Sequence, residues 1–189
     1  MEWLDVNGAS LRYELSGDGQ RPLILIHELG GALDSYDDVM ATLRSHFRIL
    51  RYDQRGAGLS EKTPVLTLTM VLDDLHSLTT ALSFTEPAAV VGTALGGGYA
   101  IAYAAKYPDR VSRLVATSPA TGVTGQRGKG LLQRAELVTS EGMRAAVDAS
   151  LSLSYPDSLR DDKARYERYR NRWITNDPMS FAALNVMLA

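Results

Sequence analysis

Between Ala88 and Pro108 the chain reads AAVVGTALGGGYAIAYAAKYP, a short apolar run that passes through Gly92-Thr93-Ala94-Leu95-Gly96 directly into a stretch of small residues at helical spacing. No loop separates the two, so a strand over Ala88 to Gly92 must turn sharply into a helix over Leu95 to Tyr107, which Pro108 stops. The flanking glycines mark backbone under strain and chains pressed too close for side chains. A strand that feeds straight into a helix belongs to a layered fold. Alternating units of this kind return by right-handed crossovers and build a parallel sheet with helices on its faces.

The rest of the chain keeps that rhythm as far as residue 121. Asn7-Gly8 supplies the positive φ of a two-residue hairpin turn, so Glu2 to Leu15 reads as a hairpin. Leu23 to Ile26 is wholly apolar, as a strand covered on both faces should be. A helix is expected over Ser35 to Ser45, with Asp34 or Ser35 as N-cap. Phe47 to Tyr52 and Val111 to Thr117 are further strands. Between them a helix capped by Thr67 or Thr69 would bury Val71, Leu75, Leu78 and Leu82. In the loop from Asp53 to Ser60, Asp53 and Arg55 are placed to pair with neighbours and pin it near the sheet edge.

From Gly122 the texture changes. QRGKG (126–130) reads as a flexible basic link, and helices follow over Leu131 to Val138, Glu141 to Leu153 and Leu159 to Trp173. A last one has Asp177 as N-cap and Pro178 at its first position. It carries Phe181, Leu184 and Leu188 on one face and reaches Ala189 without a Gly or Pro stop, so the chain is expected to end inside an element. The expected division is a core over 1–121 and a helical cap over 122–189.

Composition removes several classes of function. The 189 residues are about one domain's worth, with 45% hydrophobic and 22% charged residues, a formal charge of −2 and no cysteine. No basic stripe suggests nucleic acid, no apolar run reaches the roughly 20 residues of a membrane span, and the absence of thiols fits the cytoplasm. The three histidines share no helix face or strand, so no metal is expected. Nor is a cofactor, because Gly96-Gly97-Gly98 lacks the G-x-G-x-x-G spacing and its acidic companion.

The chemistry centres on position 94. A strand, G-x-x-x-G and a helix is the setting of a nucleophile elbow, G-x-S-x-G, in which a serine hydroxyl stands at the tip of the turn. Here the residue is Ala94, so the attacking oxygen is missing while the Leu95 amide, at the helix N-terminus, remains available to a developing oxyanion. A glycine-rich tight turn without chemistry has the same local pattern.

Three ordered motifs together are more specific: LILIHELGG, RYDQRGAGLS and VVGTALGGGYAIAYAAKYPDRVSRLVATSPA. On these the chain resembles the α/β-hydrolase family, matching its His-Gly-x-Gly loop, its D-x-R-G-x-G-x-S loop and its elbow. The helical stretch is similar to the cap of 3-oxoadipate enol-lactonases and related hydrolases of small substrates.

The resemblance implies an α/β fold with a mostly parallel sheet and an inserted helical cap. It also implies that the last core strands lie outside this chain, supplied by a C-terminal fragment or a second subunit that completes the sheet. Ala94 occupies the nucleophile position, and the backbone amides of Leu29 and Leu95 would form the oxyanion hole. Glu28 departs from the family pattern, which has glycine there; both a carboxylate held by a salt bridge and a catalytic one are open. The family's acid and histidine have no counterpart: Thr117-Ser118-Pro119 offers no acid, and His27, His46 and His76 are structural or surface residues. Trp173 is the candidate pocket wall, since an indole offers an apolar face and an N–H. The expected activity is hydrolysis of a small ester, lactone or amide, silenced at position 94. The alternatives are a ligand-binding protein of the same fold, or a lyase or water-mediated hydrolase that uses Glu28.

Overall fold

The computed structural model describes residues 1–189 and contains six strands and seven α-helices. The strands are β1 (Glu2–Val6), β2 (Ala9–Ser16), β3 (Arg21–Ile26), β4 (Phe47–Tyr52), β5 (Ala88–Thr93) and β6 (Val111–Thr117). They form one sheet in the order β1-β2-β4-β3-β5-β6. β1 and β2 run antiparallel, and β4, β3, β5 and β6 are parallel. The hairpin turn has φ 49° at Asn7 and φ 72° at Gly8, the double positive φ that matches the twist of its strands. No helix is long and apolar enough to cross a membrane.

Alternation along β3 shows how the layers are made. Ile24 and Ile26 face one side, where they join Leu50, Tyr52 and Val90 under α2 (Leu68–Ala81) and α3 (Leu95–Lys106). Leu23 and Leu25 face the other, where Ile49 and Met40 of α1 (Asp37–Leu43) cover them. Thr67 caps α2 by accepting from the Met70 amide, and Val71, Leu75 and Leu78 are buried on its inner face. At the end of the sheet, β6 has no further partner strand, and Ser112, Arg113, Leu114 and Val115 are all exposed.

The remaining helices are α4 (Gly125–Glu141), α5 (Met143–Ser154), α6 (Lys163–Ile174) and α7 (Pro178–Leu188). They pack Ala135, Val138, Met143, Val147, Leu151, Trp173 and Phe181 into a core of their own. α7 begins with Asp177 accepting from the Ser180 amide and Pro178 in its first turn. Through Ala183 and Leu184 it also joins the main core.

Three local expectations are corrected. QRGKG lies inside α4 rather than in a link, because packing against α7 outweighs weak glycine propensity. Gly128 is buried there, and a Cβ on it would stand 2.9 Å from the Val123 carbonyl oxygen. Neither Asp34 nor Ser35 caps a helix; the chain enters a 3-10 turn (Leu33–Tyr36) one step earlier, and α1 starts only at Asp37. The helix expected from Leu159 starts at Lys163, where Asp162 accepts from the Arg165 amide, and Asp157–Leu159 is a separate 3-10 turn.

The loop after β4 is held by two buried charges. Asp53 is fully buried and accepts from the amides of Leu33 (2.7 Å) and Leu59 (2.8 Å) and from Arg12 (3.2 Å). Arg55 donates to Asp74 at 2.7 and 2.8 Å, an arrangement whose disruption on one side typically costs about 3–5 kcal/mol. Through Leu33, Asp53 also fixes the far end of the turn that follows β3.

Candidate active site

The strand-to-helix junction places Ala94 at φ 51° and ψ −114°, at the N-cap of α3, half-buried. A non-glycine residue held in such a region carries about 1–3 kcal/mol of strain. Hydrogen bonds hold it there: the Ala94 amide donates to the Thr117 carbonyl (2.9 Å), and its own carbonyl accepts from Gly98 (3.1 Å) and Ala120 (2.9 Å). The flanking glycines are sterically required. A Cβ at Gly92 would lie 2.1 Å from the Gly96 carbonyl oxygen, and one at Gly96 would lie 2.2 Å from that of Ile26.

Strand register sets the ends of β3 and β5 side by side, because Ile26 pairs with Gly92, and Leu29 and Leu95 each follow three residues further on. The Leu29 amide donates no hydrogen bond within the chain. The side chain of Leu29 packs against both the main core and the core of α4–α7.

The turn that carries Leu29 is clamped by α6. Gly31 donates to the Glu28 carbonyl (3.0 Å), and Gly30 has φ 76°. Trp173 lies over Gly30, where a Cβ would meet the indole at 2.5 Å. Only 4% of Trp173 is exposed; its ring centroid is 5.3 Å from that of Phe181, and its Nε1 has no acceptor. Asn176, one turn on, donates from Nδ2 to the Gly30 carbonyl at 3.2 Å. Arg172 ion-pairs with Asp34 at 2.8 Å, without hydrogen-bond alignment, and stands 4.0 Å from Glu28. Glu28 accepts from the Ser35 hydroxyl at 3.1 Å.

A cleft of about 720 Å³ opens between this turn and α6. Glu28, Ser35, Tyr36 and Thr93 line it from the sheet side, and Tyr155, Tyr169, Arg172 and Asn176 from the helical side. Of the residues singled out in the sequence, Glu28 lines this cleft. Ala94 is one residue beyond Thr93, Leu29 and Trp173 stand behind the wall, and Leu95 lines a separate apolar cavity of about 230 Å³ with Tyr99, Met187 and Leu188. Tyr36, Thr93, Arg172 and Asn176 were not legible as site residues. The one available signal was their closeness to Trp173, since Arg172 precedes it on α6 and Asn176 follows two residues after that helix ends.

Polar groups of the cleft are ordered. Tyr36 donates to the Ile26 carbonyl (2.8 Å) and lies 3.4 Å from Thr93 Oγ1, which in turn meets the Thr117 hydroxyl at 3.0 Å. Burial, with a smaller contribution from the Glu28 charge, pushes the Tyr36 phenol up to about 12, so it stays a neutral donor. Burial raises Tyr169 too, again helped by Glu28.

The histidines are occupied or remote. His27 is buried, with Nδ1 2.8 Å from the Glu28 carbonyl oxygen and Nε2 accepting from the Gln54 amide at 3.2 Å, which assigns its proton to Nδ1. His76 stacks on Tyr107 at 4.1 Å, and His46 is exposed before β4.

A strained turn at Ala94 carries the parallel strand β5 directly into α3. The model of the alpha/beta hydrolase fold matches residues 21–182. The chain belongs to the α/β-hydrolase family. Among curated relatives, this α/β-hydrolase is 34% identical over 162 residues to the putative carbamate hydrolase RutD of Caulobacter sp. (strain K31), covering 84% of this chain and 60% of that protein. It is 30% identical over 154 residues to the proline iminopeptidase PfmaB of Pestalotiopsis fici, covering 78% and 55%. Among solved structures, the enol-lactonase from Burkholderia xenovorans LB400 superposes with a TM-score of 0.90 at 28% identity, covering 99% of this chain and 73% of that one. This α/β-hydrolase therefore spans between 55% and 60% of the length of those two curated relatives.

Proposed function

We propose that the chain is the sheet-and-cap part of a hydrolase of small esters, lactones or amides, with residues 1–121 as core and 122–189 as cap. Position 94 seats the nucleophile, and the amides of Leu29 and Leu95 receive the oxyanion. The observation that carries this reading is the backbone of Ala94, at φ 51° and half-exposed at the head of α3. That conformation is strained, and its use is to lift one side chain clear of the sheet. The relatives, named for a carbamate, a peptide and an enol-lactone, support acyl transfer to water.

With serine at 94, its Oγ would attack the substrate carbonyl while a general base takes the proton. The carbonyl oxygen would become an oxyanion held by the two amides, and collapse would expel the leaving group before water releases the acyl enzyme. Alanine keeps the turn and removes the attacking atom. Both ring nitrogens of His27 are engaged, His76 is stacked on Tyr107 and His46 is exposed before β4, which supports a base and an orienting acid supplied by further polypeptide or by a second subunit.

The test is Ala94→Ser in the full-length polypeptide. Hydrolysis of p-nitrophenyl acetate should rise by about a thousandfold or more. A rate unchanged within twofold overturns the reading and leaves a ligand-binding protein. A second chemistry, lyase or water-mediated, is favoured by one observation, the presence of Glu28 on the cleft surface with Thr93. It requires turnover by the chain with Ala94, abolished in Glu28→Gln.

A further inference from the structure

The four cap helices close around a cation that meets no carboxylate. Arg134 of α4 turns inward, and its guanidinium carbon lies 5.8 Å from the ring centre of Trp173 in α6 and 5.6 Å from that of Phe181 in α7. Its hydrogen bonds go to Asn185 and Ser150, neither of which carries charge. Burial holds the group below the ordinary guanidinium value, and no acidic group acts against that shift. The other well-buried arginines, Arg12, Arg51, Arg55 and Arg172, each face an Asp or Glu. A guanidinium taken out of water is ordinarily paired in that way, and aromatic faces offset only part of the cost.

The three nitrogens of Arg134 are unequally engaged. Nε donates to Asn185 Oδ1 at 2.8 Å, and Asn185, fully buried, is fixed in turn by donating Nδ2 to the Phe181 carbonyl at 2.6 Å. The outer edge of the fork is held less firmly. Nη1 reaches the Ser150 hydroxyl oxygen of α5 only at 3.4 Å, and Nη2 donates to no group in the chain while keeping contact with solvent. Ser150 is 7% exposed, and its own proton goes to no acceptor in the chain. Two guanidinium nitrogens and a hydroxyl proton thus stand side by side on a base that Asn185 orients, an arrangement that suits the paired oxygens of a carboxylate.

We propose that Arg134 and Ser150 form a carboxylate-binding site in the helical cap, with Nη1 and Nη2 donating to the two oxygens and the Ser150 hydroxyl to one of them. The ligand is a small molecule bearing a carboxylate. Trp173, whose ring flanks the guanidinium, also covers Gly30, so the ligand neutralises charge against the ring that seats the turn carrying Leu29. The site does not depend on residue 94 and stands apart from acyl transfer.

Acetate and acetamide share a shape and differ in charge. Titrated at constant ionic strength and followed by NMR at the Arg134 Nε–H and the Trp173 indole N–H, acetate should saturate and bind at least about tenfold more tightly than acetamide. Ser150→Ala should weaken acetate by at least about threefold, and Arg134→Lys, which keeps the charge and loses the fork, by about as much. Arg134→Met, which keeps an apolar stem beside the two rings, should remove saturable binding. A native circular dichroism spectrum shows that each variant folds; should Arg134→Met not fold, the other two variants decide. Shifts that do not saturate, equal affinity for the two compounds, or acetate binding weakened by less than about threefold in Ser150→Ala or Arg134→Lys overturns the inference.

Discussion

Ala94 holds a backbone conformation that glycine adopts without penalty. Replacing it with glycine removes strain of about 1–3 kcal/mol and adds back unfolded-state entropy of about 0.5–1 kcal/mol. Ala94→Gly is therefore expected to stabilise the chain by about 1 kcal/mol, read as a rise of roughly 2–4 °C in thermal unfolding. An unchanged or lower midpoint would show that the turn is not strained. Trp173 illustrates a different limit at the same scale. Its indole was a reasonable pocket wall on its chemistry, yet the structure uses it to seat α6 on Gly30, and the neighbouring Arg172 and Asn176 face the cleft instead.

Pairing within elements gives the clearest dependence on pH. Glu14 of β2 is the register partner of Arg51 in β4, and Arg51 donates to both of its carboxyl oxygens at 3.1 Å. Burial alone would raise the Glu14 carboxyl, but the hydrogen bonds and charge of Arg51 outweigh it and hold the group below its ordinary value of 4.5. A lowered folded-state value means that the proton binds better in the unfolded chain. The stabilisation is then complete above the ordinary value and is lost as pH falls through it and below. Glu14→Gln should cost about 2 kcal/mol at pH 7, and the gap to the parent should narrow steadily in chemical denaturation as the pH falls below the ordinary value of 4.5. A gap independent of pH would remove the charge from the explanation. Helix α4 makes the complementary point: QRGKG has poor helix propensity, and it is helical because α7 packs along it.

On the scale of the molecule, burial is uneven across the sheet. β3 lies between β4 and β5 and is covered on both faces, with Leu23 to Ile26 all buried. β6 has one neighbour, and four consecutive residues from Ser112 to Val115 are exposed. Local opening follows such differences. Amide hydrogen exchange should be slowest in β3, β4 and β5 and at least about tenfold faster in β6. Equal protection would mean that β6 is covered in solution.

Local turn chemistry and hydrophobic period were enough to find every strand, the Asn7-Gly8 hairpin, the Thr67 and Asp177 caps and the strained junction at Ala94, because each is decided by residues within a few positions of one another. The cleft was not readable in the same way. Glu28, Thr93, Arg172 and Asn176 come together only because strand register sets β3 beside β5 and α6 folds back over their ends, and a contact such as that between Gly30 and Asn176 leaves no periodic trace in a single chain. Likewise, glycines at 126–130 look flexible until a packed neighbour supplies the energy that their own backbone preference lacks.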